Sequence, residues 1–270
     1  MWKSVFRIMT ELTSHKAISQ ITGKIAKSSF SRRLIPRFAA MYGIRTEEAE
    51  KPVEQYKSLN EFFTRRLKQG MRPIEPDIMH IISPVDALIT GMGEIKDGQI
   101  INVKGQDYSL DELLNHAPRR IHYKQGFYFV LYLSPTDYHR IHAPVSGQIV
   151  EKDHIPGRVF PVNDFGLRHM KKVLSRNERL ITYIKHIHGE VAVVKVGAMN
   201  VSGIQYVEPL PDMIERGDEL AYFEFGSTVV LLLENQTFLH NPELMLNSKV
   251  QLGQSLGIWQ RYDKKGGSID

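Results

Sequence analysis

Two kinds of side chain stand where this sequence could do chemistry. The first is the hydroxyl of Ser227, in the run Tyr222-Phe223-Glu224-Phe225-Gly226-Ser227-Thr228 that leads into the all-apolar stretch Val229 to Leu233. A buried strand would ordinarily carry Val or Ile at such places. Gly226 has no Cβ to crowd its carbonyl, so the Ser227 hydroxyl can turn back on the preceding peptide bond and attack it. The same residues also suit a glycine bulge with two hydrogen-bonded hydroxyls. The second kind is imidazole: His139 and His142 follow the apolar run Phe127 to Leu133 in Ser134-Pro135-Thr136-Asp137-Tyr138-His139-Arg140-Ile141-His142-Ala143-Pro144. They invite metal ligation or acid–base work. Metal is the weaker reading, because no further His, Asp or Glu stands nearby at a ligand-like spacing. If Tyr138 to Ala143 is extended, the two rings point to opposite faces and only one can serve a given site. For each, a hydrogen-bonded structural histidine is the alternative.

Elements able to hold such groups can be read from the rest of the chain. Its 270 residues, 42% hydrophobic, suffice for a substantial core. Cysteine is absent, which excludes disulfides, a thiolate nucleophile and a cysteine zinc site, and fits a reducing compartment. From Ile81 onward, short β-branched or aromatic runs are punctuated by Gly and Pro, which predicts a β-rich core. Asp111-Glu112-Leu113-Leu114 is a helical insertion in it, and Arg158 to Arg179 reads as basic loop. A faint internal echo links Ser83-Pro84-Val85-Asp86-Ala87-Leu88-Ile89 with Ala143-Pro144-Val145-Ser146-Gly147-Gln148-Ile149. Such pieces recur in compact sandwich-like barrels that carry lipoyl groups, but no turn here presents the lysine a carrier needs.

The first 57 residues have another texture. Between Met1 and Arg45 nine Lys and Arg residues face one acid, Glu11, so this end is more positive than the chain as a whole, whose formal net charge is +5. Trp2, Val5, Phe6, Met9 and Leu12, then Ile18, Ile21 and Ile25, then Phe30, Leu34 and Phe38 recur at helical spacing. Two or three short amphipathic helices with a basic side are expected, able to lie on an anionic bilayer. A lid packed on its own core is one alternative, and a cleaved organelle-targeting peptide, given the scarcity of acids, is another. No apolar run approaches the roughly 20 residues a membrane-spanning helix needs. Ser58, with Glu61 at the capping-box position, opens a further helix that should end before Gly70. The expected organisation is α+β: a basic helical membrane-associating region over 1–57, then a β-rich, sandwich- or barrel-like catalytic core over 58–270. Charge concentrated at one end argues against nucleic acid as the partner.

Asp86 in Pro-Val-Asp, His142 in Asp-Tyr-His-Arg-Ile-His and Ser227 in Phe-Gly-Ser-Thr together resemble the bacterial type of phosphatidylserine decarboxylase. The likeness extends through Asn60-Glu61-Phe62-Phe63 with Arg65, Lys104-Gly105, Phe160-Pro161-Val162-Asn163 and Asn177-Glu178-Arg179. Ala87 departs from it, since the family often has glycine there. The resemblance implies a proenzyme cut between Gly226 and Ser227 into a β chain, 1–226, and an α chain, 227–270, that stay associated. It implies an Asp86–His142–Ser227 triad, with His142 the base and Asp86 its orienting carboxylate. Ser227 would become a pyruvoyl group that forms a Schiff base with phosphatidylserine, with no pyridoxal phosphate and no metal. His139 would be an auxiliary proton-transfer group. A homodimer on the cytoplasmic side of the cell membrane is implied as well. A serine hydrolase built on the same three residues is the alternative, although Thr228 and Val229 break the Gly-x-Ser-x-Gly elbow.

Overall fold

The computed structural model describes residues 23–162, 164–198, 203–224 and 227–260. Most of the first amphipathic stretches, and Phe225-Gly226, lie outside the described residues. A 3-10 turn, Ser29–Leu34, runs into α1 (Ile35–Tyr42), which has Pro36 in its first turn and is closed by Gly43 at φ 64°. α2 (Leu59–Phe63) starts where Ser58 Oγ accepts the Glu61 N–H at 3.2 Å. The Glu61 carboxylate accepts instead from the Lys57 N–H, at 2.7 Å. α2 ends well before Gly70. Just past it the Thr64 hydroxyl bonds back to the Asn60 carbonyl at 3.0 Å, and Arg140 Nε donates to the Thr64 carbonyl at 2.9 Å. Ile35, Ala39, Tyr56 and Phe62 form a small core that ties α1 to α2.

Strands then dominate. In chain order they are β1 (His80–Ile82), β2 (Ala87–Glu94), β3 (Gln99–Val103), β4 (Gln106–Ser109), β5 (Phe127–Leu133), β6 (Arg140–His142), β7 (Gly147–Ile155) and β8 (Arg179–His186). There follow β9 (Gly189–Gly197), β10 (Ile204–Tyr206), β11 (Met213–Ile214), β12 (Glu219–Phe223), β13 (Ser227–Leu233), β14 (Phe238–His240), β15 (Lys249–Val250) and β16 (Ser255–Trp259). Three short helices intervene: α3 (Leu110–Leu113), and α4 (Asp164–His169) and α5 (Val173–Arg176) within the stretch expected to be loop.

Eight strands form one antiparallel sheet in the order β11-β7-β8-β9-β13-β5-β2-β15. Its two edges do not meet, so the core is a stack of open sheets and not a closed barrel. β13 lies at its centre, pairing with β5 and β9 along its whole length. The period of two sends Val230 and Leu232 to a core built with the β3–β4 hairpin and α3 to α5. It sends Val229, Leu231 and Leu233 to a second core, shared with Ile141, Leu220 and Phe223 of the small sheet β10-β12-β6. Ser227 has the parity of this second set. It therefore faces the sheet that carries His142.

Candidate active site

Ser227 opens β13 between Leu133 of β5 and Gly197 of β9. Its side chain is fully buried and its Oγ has no hydrogen-bond partner among the described residues. Buried hydroxyls are nearly always partnered, because an orphan costs about 1–3 kcal/mol of lost hydration. This hydroxyl is therefore not held in place for stability, which suits a group consumed by its own chemistry. The Thr228 hydroxyl is a second buried orphan, on the other face. The two satisfied hydroxyls of the bulge reading are therefore not found among the described residues.

The internal echo turns out to join the chain on itself. His142 N–H donates to the Pro84 carbonyl at 2.9 Å, and Ile82 N–H donates to the Pro144 carbonyl at 3.1 Å. Each Pro-Val segment thus receives a bond from the residue two places before the other segment's proline. This reciprocal clasp brings the Asp86 and His142 segments together although 56 residues of sequence separate them.

His142 is buried, with Nδ1 2.6 Å from the Gly217 carbonyl and Nε2 3.1 Å from the Tyr138 hydroxyl. A carbonyl only accepts, so Nδ1 carries the proton and Nε2 presents a lone pair, the tautomer a general base needs. Burial lowers its pKa below the ordinary imidazole value, against the opposing pull of the Gly217 carbonyl and of Glu219. Glu219 is its partner in the β6–β12 pairing and is itself held by Arg140 and Arg66, at 2.8 and 2.9 Å.

Asp86 does not bond to His142. Its carboxylate is gripped by Arg72, with Nε at 2.9 and 3.0 Å and Nη2 at 2.6 Å, and accepts the Leu252 N–H at 2.9 Å. Arg72 also reaches Glu48 at 2.8 Å. The expected triad is thus a cluster in which Asp86 acts on His142 through its field, while the Gly217 carbonyl orients the ring. Neither residue has a hydrogen bond to Ser227 Oγ. His139 sits apart from His142, its ring 4.0 Å from that of Phe63 in α2 and its Nδ1 2.9 Å from the Asp137 carbonyl. Its Nε2 is a buried lone pair without a partner, and burial drives its pKa down to about 3.

Several residues that shape this site escape a reading of the sequence. Tyr138 stands four residues before His142, and Glu219 is the first residue of β12; neither type signals its partner. Lys195 is the least expected. It pairs with Val229, next to the Ser227–Gly197 pair, and so shares the Ser227 face. Its amine is fully buried, 2.7 Å from Thr182 Oγ1 and 3.2 Å from the Val193 carbonyl, with the Tyr206 ring 5.2 Å away. Burial holds its pKa well below the ordinary lysine value. Between that depressed value and the ordinary one, only the unfolded chain holds the proton, so stability rises with pH there. Lys195→Met is expected to raise stability near neutral pH by about 1 kcal/mol or more and to flatten this rise. Denaturant melts at several pH values measure both, and a less stable variant would refute the buried neutral amine.

Comparisons with known proteins show the family. The sequence model for phosphatidylserine decarboxylase matches residues 59–258. The chain is similar to the phosphatidylserine decarboxylase proenzyme of Geobacillus kaustophilus (strain HTA426), 42% identical over 260 residues that cover 96% of this chain and 98% of that protein. It is 39% identical to the proenzyme of Bacillus thuringiensis (strain Al Hakam) over 256 residues, 95% of this chain and 97% of that one. The matched span holds Asp86, His142 and Ser227 together, and with identity over nearly the full length the conclusion is that this chain belongs to the phosphatidylserine decarboxylase family.

Proposed function

We propose that this chain is a proenzyme that cuts itself between Gly226 and Ser227 and then converts phosphatidylserine to phosphatidylethanolamine and carbon dioxide. The observation that carries this reading is the buried, unpartnered Ser227 hydroxyl directly after Gly226, at the head of the central strand. In the first reaction the Tyr138 hydroxyl yields the His142 Nε2 lone pair, the ring and Ser227 Oγ close the gap between them, and Nε2 takes the Oγ proton. Oγ bonds to the Gly226 carbonyl carbon, the peptide C–N bond breaks, and the imidazolium returns its proton to the Ser227 nitrogen. The product is an ester. Asp86, its charge shared with Arg72, favours the transient cation. Loss of the Ser227 α-proton then expels the Gly226 carboxylate, and water converts the resulting dehydroalanine to a ketone with release of ammonia.

The fit of Ser227 to this fate rests on its Oγ making no structural bond that its loss would break. The pyruvoyl group so formed supplies a ketone for the substrate amine and an electron-withdrawing carbonyl for the pair left behind by carbon dioxide. His142 moves protons in this second reaction, and His139, with its free Nε2, assists. After the cut, β13 still lies between β5 and β9, so the 227–270 chain stays anchored in the middle of the sheet. Intact-mass measurement tests the reading: two chains, 1–226 and 227–270, the second with a blocked N-terminus, are expected. A single uncut chain in active enzyme would refute it.

The same reading assigns residues 1–57 to a membrane-associating region, 58–270 to catalysis, and the enzyme to the cytoplasmic face of the cell membrane as a homodimer, which sedimentation velocity tests. No helix among the described residues is long and apolar enough to cross a bilayer. Support comes from the exposed apolar side chains Ile25, Phe30, Leu34 and Met41, interspersed with exposed Arg32, Arg33 and Arg37. Each such cation near an anionic surface contributes about 1 kcal/mol. Replacing all three arginines by Gln is expected to lower partition onto anionic vesicles about 100-fold at low salt, and much less at high salt. Unchanged partition would refute this surface assignment.

A further inference from the structure

A cavity of about 260 Å³ lies beside the acid–base cluster, and Arg65, Arg72, Asp86 and Tyr138 line it. Tyr138 is the residue whose hydroxyl meets His142 Nε2, so one wall of the cavity leads to the proposed base. Another wall is Gly43 and Arg45, which directly follow α1 and its exposed Met41 and Tyr42. The cavity therefore bridges the proposed membrane face and the proposed chemistry. It can hold a small polar headgroup and has no room for acyl chains.

The charges around it are unequal in their commitments. Asp86 and Glu48 are both bound by Arg72, Glu48 is also bound by Arg45 at 2.6 Å, and Asp137 accepts the N–H and the hydroxyl of Ser134, each at 2.7 Å. Arg65 differs. It is 4% exposed, its Nε has no hydrogen-bond partner, and its two other nitrogens make only long contacts, 3.5 Å to the Phe62 carbonyl and 3.4 Å to the Thr136 carbonyl. A buried guanidinium with no bonded carboxylate is costly to keep, and its planar fork is shaped to receive two oxygens of one anion. Its charge is close enough to His139 to help keep that ring neutral, after the larger effect of burial.

We infer that Arg65 is the receptor for the phosphodiester of the substrate headgroup, held in this cavity while the serine end reaches the reacting centre. The inference rests on the proposed function. The substrate offers two anions, and the reaction itself chooses between them. The carboxylate loses its charge as it becomes carbon dioxide, so a cation fixed on it would stabilise the ground state more than the transition state and slow the step. The phosphodiester keeps its charge throughout. A cation there contributes binding without opposing the chemistry.

The test uses the full-length Ser227→Ala chain, which is expected to stay uncut and unreactive, with binding followed by calorimetry. The probes are glycerophosphoserine, glycerophosphoethanolamine and inorganic phosphate. Both diesters are expected to bind, phosphate is expected to compete with each, and adding Arg65→Met should weaken both by about tenfold or more, the worth of a charge-assisted pair. Arg65→Lys should retain part of the affinity. Because burial costs the Arg65 charge more than the nearby but unbonded Asp86 and Glu48 return, Arg65→Met is also expected to melt no lower than its parent. Equal affinity with and without Arg65 would overturn the inference, as would binding of the serine compound but not the ethanolamine one, which would place Arg65 on the carboxylate. If Arg65→Met does not fold, protection of Arg65 from an arginine-selective dicarbonyl by glycerophosphoethanolamine decides the matter, and lack of protection overturns it. A wild-type chain that fails to cut itself would refute the proposed function instead, a separate outcome.

Discussion

Ser227→Ala is expected to leave the chain as one polypeptide, with decarboxylation reduced to the uncatalysed background. No other single change should have so large an effect, because it removes the proposed nucleophile of the first reaction and the proposed precursor of the cofactor for the second. A loss of this kind could in general reflect unfolding, but here the local physics argues against that. Ser227 Oγ is buried without a hydrogen-bond partner, so its removal breaks no bond and relieves a desolvated polar atom. The backbone pairing with Leu133 and Gly197 does not depend on the side chain. The variant should therefore melt at or above the temperature of the parent. Mass spectrometry and a melting curve on the same sample are decisive: a folded variant that still yields the 227–270 fragment would eliminate Ser227 as nucleophile.

His142→Ala should have the second largest effect, slowing self-cutting by a factor on the order of 10³–10⁴ through loss of the proposed general base. This substitution is less innocent structurally, because it deprives the Gly217 carbonyl and the Tyr138 hydroxyl of a partner. A stability loss of about 1–3 kcal/mol should accompany it. The pH profile of the wild-type chain separates the two effects. Burial lowers the His142 pKa, so the imidazole is already unprotonated at neutral pH. The cutting rate should be flat from neutral pH upward and decline only in acid, below the range of an ordinary exposed imidazole. A rate that keeps climbing above neutral pH would point to a base other than His142.

Asp86 shows how a motif can name the right residue while leaving its partner open. The letters Pro-Val-Asp carry the family resemblance, yet the hydrogen-bond partner of that carboxylate is Arg72, presented by a connection before β1 in which a sequence reading finds only Gly and Pro punctuation. His142 shows the same division: its residue type signals proton transfer, while its tautomer is set by the Gly217 carbonyl, 75 residues away.

What the sequence determined by itself is therefore what short-range chemistry encodes. The run Phe127 to Leu133 is a strand over those same residues because continuous apolar character has a local cause, burial on both faces. Ser58 caps its helix because the donor it satisfies is three residues away. The Pro-Val echo was visible as a repeat, and the three residue types of the site were legible as a set. Tertiary structure alone decided that the two halves of the echo clasp each other, that β13 lies between β5 and β9, and that Lys195 is buried on the Ser227 face. In the alternation Val193-Val194-Lys195-Val196 that lysine reads like any residue on the polar face of a strand. Strand order and register depend on pairings between distant segments, each weak and decided only by the sum of packing over the whole sheet, and no local pattern carries that sum.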